Sequence, residues 1–207
     1  MAEIRIDSLT KKFGERTAID GLSLTLPAAG IVALCGPSGS GKSTLLALLA
    51  GLEKPTSGTI TGRGTVSISF QDPALLPWRT AEENVNLALG DRRATLGKAR
   101  DLLAELGIDA ESAAAYPAAL SGGMRARVGI ARALARPADI YLFDEPFAAL
   151  DAATAATVAS AIRRHTAGAL VLAVIHDERL AADFSDTVIR FLSSPLSGYH
   201  ITQKADV

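Results

Sequence analysis

The segment Gly36, Pro37, Ser38, Gly39, Ser40, Gly41, Lys42, Ser43, Thr44 sets a glycine, four residues and then Gly-Lys-Ser in one run. That spacing suits a phosphate. Glycines let successive backbone N–H groups converge on phosphate oxygens, and a helix opening at the end of the run adds its partial positive charge. Lys42 is then placed to pair with β and γ phosphates, and the Ser43 hydroxyl to supply a magnesium ligand. Downstream, the apolar run 140–143 ends in Asp144 and Glu145. A carboxylate at the C-terminal edge of a buried strand lies where ligands of open α/β sheets collect, so Asp144 can hold magnesium through water. Glu145 beside a γ phosphate is basic enough to polarise an attacking water. Taken alone, Asp-Glu-Pro after a strand could also be a helix cap or a turn; the phosphate loop upstream favours the chemical reading.

These residues need a strand before each loop and a helix after it. Residues 31–35 are continuously apolar, as in a strand buried on both faces of a parallel sheet, and they run directly into Gly36. Residues 43–50 read as a helix stopped by Gly51. Residues 4–9 and 22–26 alternate apolar and polar positions, as half-buried antiparallel strands do. Thr80-Ala-Glu-Glu83 forms a capping box that opens a helix through about residue 89, and 98–106 forms another, ended by Gly107. The span 75–135 is therefore mostly helical. Runs 140–143 and 170–175 return to strand character, separated by an alanine-rich helix over 152–164. This is βαβ alternation and predicts a parallel sheet. Residues 193–207 read as a short tail.

Composition sets the bounds. A chain of 207 residues, 48% apolar and 21% charged, predicts one large globular domain, with or without a small inserted subdomain. Twenty-one Lys and Arg stand against 22 Asp and Glu, so no basic field recruits nucleic acid or anionic lipid. The longest apolar stretches fall well short of the roughly 18 residues that suggest a bilayer span. The N-terminus lacks the pattern of a secretion signal, which predicts a cytosolic protein. Cys35 is the only cysteine, lies in an apolar run and reads as a small core residue.

The chain resembles the ATP-binding subunits of ABC transporters over nearly all its length. Leu120, Ser121, Gly122, Gly123 and Met124 resemble the family's signature motif, with a Pro117 turn before and a helix over 124–135 after. A helix N-terminus with a serine hydroxyl again suits phosphate. The resemblance implies an α/β P-loop NTPase cassette with a mostly parallel core sheet, a small antiparallel β subdomain and a helical subdomain of about 75–135 inserted in a single domain 1–207. It also implies that Ser121, Gly122 and Gly123 face the ATP of a second subunit. Gln71 resembles the family glutamine that reaches magnesium and the lytic water, and His176 the histidine that contacts the γ phosphate. Asp151 matches the residue that crosses the dimer interface, and it is equally placed to cap the next helix. Phe13 stands where the family stacks an aromatic on adenine; a core phenylalanine is the alternative.

The segment from Gln71 through Leu75-Leu76-Pro77-Trp78, with Asn84 and Val85, looks like the nitrate, sulfonate and taurine importer branch. Trp78 either lines a groove for a permease or packs in the core. The resemblance therefore implies an ATPase with ATP and magnesium as cofactors. It would dimerise, most simply as a homodimer, and act with transmembrane permease subunits and indirectly a solute-binding protein, from the cytoplasmic face of the membrane. Rival readings are a cassette ATPase of DNA repair or chromosome structure, whose coiled-coil or zinc insertions are not seen here, and a non-catalytic dimerisation subunit. Departures from the family pattern are Met124 for glutamine, Ala148 for serine, a short 59–70 segment that predicts a reduced antiparallel subdomain, and a brief tail.

Overall fold

A computed structural model describes residues 3–62, 64–90, 97–148 and 150–203. Two compact units divide the chain: one draws on Met1–Val66, Ala138–Asp144 and Gly168–Val207, the other on Ser67–Pro137 and Glu145–Ala167.

In the first unit, β1 (Ile4–Phe13) and β2 (Arg16–Leu26) form an antiparallel hairpin, and β4 (Ser57–Thr61) pairs with the other edge of β1. Both hairpin strands run longer than the alternation predicts. Their outer halves, Lys11↔Ile19 to Phe13↔Arg16, are held by the ladder through bulges that break the apolar period. Gly14, at φ 60, makes the turn.

The second sheet has the order β5–β6–β7–β3–β8–β9. Its strands are β3 (Gly30–Cys35), β5 (Val66–Ser69), β6 (Ile140–Asp144), β7 (Leu170–Val174), β8 (Thr187–Phe191) and β9 (Tyr199–Gln203). The chain leaves the first unit within β5. Strands β6, β7, β3 and β8 are parallel, and the near-complete burial of β3, β6 and β7 explains their unbroken apolar runs. Helix α1 (Lys42–Leu49) packs on β6 and β7, and α7 (Glu178–Phe184) on β3 and β8.

The tail expected from residue 193 instead contributes β9, antiparallel to β8. Its residues are almost all exposed, so no apolar alternation marks it; the backbone ladder to β8 holds it, with the Tyr199 hydroxyl donating to Ser23 O and its ring edge-on to Phe191. Residues 204–207 of that expected tail lie outside the described residues, as do 91–96 of the expected helical stretch.

The second unit is helical: α2 (Ala81–Leu89), α3 (Lys98–Glu105), α4 (Ala110–Ala113), α5 (Gly122–Leu134) and α6 (Ala152–His165). Both halves of the expected capping box open α2: Thr80 Oγ1 accepts from Glu83 N, and Glu83 Oε2 accepts from Thr80 N. Helix α5 begins two residues earlier than the sequence predicts, because Ser121 caps it and both glycines enter its first turn. No described helix is long and apolar enough to cross a membrane.

Candidate functional site

The phosphate-type loop leaves the buried end of β3 and enters α1 through three left-handed glycines: Gly36 at φ 140, Gly39 at φ 70 and Gly41 at φ 114. Two of them are also pressed by neighbours. A Cβ on Gly36 would stand 2.9 Å from the Phe191 carbonyl oxygen, and one on Gly41 2.4 Å from that of Ala18. Gly41 is the N-cap of α1 and has no side chain to accept the first N–H groups. That leaves the helix N-terminus suited to an anion. Lys42 is 5% exposed, and its ammonium donates to Gly36 O at 3.0 Å, Pro37 O at 2.7 Å and Ser40 Oγ at 3.3 Å. A buried cation needs such acceptors, and phosphate oxygens entering the loop can replace them. Ser40 is buried; Pro37, Ser38 and Ser43 are exposed, and Thr44 is half-buried in the first turn.

Asp144 is buried at the C-terminal end of β6, level with Val174 of β7. His176 is exposed two residues past β7 and precedes Asp177, which caps α7 through Arg179 N and Leu180 N. Phe13 is largely exposed at the hairpin tip, which removes the core alternative. The Lys11 ammonium lies 4.6 Å from the Phe13 ring centroid and is held there by Glu53 Oε2 at 2.7 Å and Lys54 O at 2.9 Å.

Glu145, which follows Asp144, opens the second unit's share. Its φ of 55 is costly for a residue with a Cβ, a backbone state that persists only where the surroundings impose it. Its Oε2 accepts from Gln71 Nε2 at 3.1 Å, so the structure brings together two residues 74 positions apart that the sequence singles out separately. The loop after Gln71 is fixed against α5. Arg132 donates to Pro73 O and Ala74 O, and a Cβ on Gly129 would stand 2.5 Å from the Cβ of Pro73. Burial pulls Arg132 below the usual guanidinium range.

Ser121 and Gly122 are exposed at the start of α5, with Gly123 and Met124 half-buried. Ser121 Oγ accepts from Met124 N at 3.2 Å, which leaves its O–H free to donate elsewhere. Asp151 caps α6, accepting from Thr154 N at 2.9 Å and Thr154 Oγ1 at 2.8 Å. These two bonds, the backbone one foremost, hold its carboxyl below the usual carboxylate range.

Residues 19–148 match the family model described as ABC transporter. The chain belongs to the ABC transporter family. It is 45% identical over 195 residues to the aliphatic sulfonates import ATP-binding protein SsuB 2 of Rhodococcus jostii, covering 91% of this chain and 78% of that one. To SsuB 1 of Burkholderia cenocepacia it is 41% identical over 196 residues, or 90% of this chain but 60% of the relative. Among solved structures, the dimeric ATP-binding cassette MJ0796 bound to ADP and Pi aligns with a TM-score of 0.87 at 29% identity, covering 97% of this chain and 98% of that one. An ATP-bound bacterial Atm1-family ABC exporter aligns at 0.84 and 28% identity, with 99% of this chain spanning 39% of the exporter. The protein is thus an ATP-binding cassette ATPase.

The Ser43 hydroxyl and the Asp144 carboxylate of the first unit, and the Gln71 carboxamide of the second, are oxygen donors, the type that suits a small hard cation such as magnesium. No cluster of three or more His, Cys, Asp or Glu groups that could hold a metal occurs among the described residues.

Trp78, open between core and surface on sequence grounds, is 68% exposed. It rides on a loop held from below by Asn84, which is fully buried in α2 and binds the backbone of Leu76, Arg79 and Thr80. Neither this role of Asn84 nor the loop clamp of Arg132 and Gly129 follows from sequence reasoning. A polar residue at an inward position of an amphipathic helix was the available signal for Asn84.

Proposed function

We propose that this single cassette binds and hydrolyses ATP with magnesium as the energy-supplying subunit of a solute importer. It would act from the cytoplasmic face of the membrane with a second copy of itself and with permease subunits fed by a solute-binding protein. The Gln71–Glu145 contact at 3.1 Å, directly after Asp144 in the chain, carries the reading. It holds the Glu145 carboxylate by a neutral donor, and a carboxylate so held can accept a proton from water.

Phe13 stacks on adenine, and the N–H groups of residues 36–44 receive the phosphates. Lys42 exchanges its loop carbonyls for β and γ phosphate oxygens. Ser43, Asp144 and Gln71 would hold magnesium, which when bound neutralises charge on the β and γ phosphates. Glu145 takes a proton from the attacking water, Gln71 orients that carboxylate, and His176 donates to the γ phosphate. Ser121, Gly122 and Gly123, with Asp151 nearby at the interface, serve the ATP of the second copy. The names of the sulfonate-import relatives make aliphatic sulfonates the first solutes to test.

Glu145→Gln should bind ATP yet lower phosphate release by about 10²-fold or more, the usual share of a general base, and accumulate a dimer seen by light scattering. Phosphate release at the wild-type rate would remove Glu145 as the base. Lys42→Ala should weaken ATP binding at least about tenfold by calorimetry, since a hydrogen bond to a charged group contributes about 1.5–3 kcal/mol.

A further inference from the structure

The connection from β8 to β9 touches the phosphate loop along most of its length. At its start, the Phe191 carbonyl crowds Gly36, whose Cβ position is 2.9 Å away. Ser194 Oγ donates to Gly39 O at 3.4 Å. Leu196 N donates to both Ser40 O and Ala18 O at 3.1 Å, while Leu196 O accepts from Asp20 N at 2.9 Å. The Leu196 side chain is completely buried, with its Cγ 3.4 Å from where a Gly41 Cβ would stand. The connection is itself tied: Leu192 N donates to Gly198 O at 3.1 Å, and Ser193 Oγ donates to Pro195 O at 3.0 Å.

We infer that Leu196 is a positioning residue for ATP binding, clamping the back of the phosphate loop to β2 so that its front presents N–H groups to phosphate. In a trans peptide the C=O and the following N–H point in opposite directions. Pinning Ser40 O to Leu196 N therefore aims the Gly41 N–H away from Leu196. A glycine-rich loop gains the most from such a clamp, because glycine has the most backbone freedom to lose when ligand binds. The buried leucine keeps its own N–H in place; without it the two carbonyls would take water as donor. The inference rests on the proposed phosphate-binding role of residues 36–44.

The test is ATP affinity by calorimetry on the full chain, with amide hydrogen exchange of residues 39–42. Leu196→Ala should raise Kd about tenfold and speed exchange in that loop, the penalty of re-ordering one or two loop residues on binding. Ile4→Ala, an equally buried position at the opposite end of the β1–β2 hairpin, should leave both unchanged in the folded protein. Leu196→Met, which conserves volume, should behave as wild type. If Leu196→Ala does not fold, Leu196→Val gives the same readout with a smaller shift. Wild-type ATP affinity in the folded Leu196 variant, or equal weakening in Ile4→Ala, overturns the inference. If Lys42→Ala also binds ATP like wild type, the failure belongs to the phosphate-loop reading; if Lys42→Ala loses binding and the Leu196 variant does not, only the clamp is wrong.

Discussion

Asn84→Ala should loosen the Trp78 loop by an amount the hydrogen bonds set. Asn84 Oδ1 accepts from Leu76 N at 2.8 Å, and Nδ2 lies 3.2, 3.1 and 2.9 Å from Leu76 O, Arg79 O and Thr80 O. A carboxamide has two N–H groups, so the three donor contacts amount to two bonds, one of them shared. Three net bonds at about 1 kcal/mol each give about 3 kcal/mol. The loop residues Leu76, Arg79 and Thr80 are only half-buried, so water entering the vacated space lowers the expected loss to about 2 kcal/mol. For a chain of this size that corresponds to a fall in Tm of about 4–8 °C. Trp78 is the only tryptophan and reports the loop directly. Its fluorescence anisotropy should fall at temperatures where circular dichroism still shows a folded protein. Asn84→Asp should be more damaging than alanine at neutral pH, since it sets a buried charge against three carbonyls, and should recover partly on acidification. A Tm within about 1 °C of wild type and unchanged anisotropy in Asn84→Ala would refute the hydrogen-bond account of this loop.

Gly129→Ala should destabilise the protein by about 1–3 kcal/mol in urea denaturation, because its Cβ would overlap the rigid Pro73 ring at 2.5 Å. The displaced loop should also slow phosphate release through Gln71. Asp151 has a folded pKa held below its unfolded one by Thr154, so its stabilisation is fully present above the unfolded value of about 4 and is lost as pH falls through the folded one. Asp139, through the Thr65 hydroxyl first, and Asp109, through Ser112 N–H first, act in the same sense. Denaturation midpoints measured across the acid range should therefore decline below about pH 4, and less steeply in Asp151→Asn.

Local chemistry made much of this protein legible. Buried parallel strands show as unbroken apolar runs, the Thr80–Glu83 capping box announces α2, and the phosphate loop needs its glycines wherever it occurs. The strand β9 was hidden because an exposed edge strand carries no apolar period, and the outer halves of β1 and β2 because bulges break it.

The glycine loop at 36–44 and the Ser121-capped start of α5 are legible from residue spacing, since such contacts are made within a few positions of the chain. The supports come into being on folding: Gln71 on Glu145, Arg132 on Pro73, and Leu196 on Ser40 and Ala18. Each of these joins segments far apart in sequence, and two use backbone carbonyls, which every residue type carries. A contact made to a group common to all residues leaves no letter in the sequence to read.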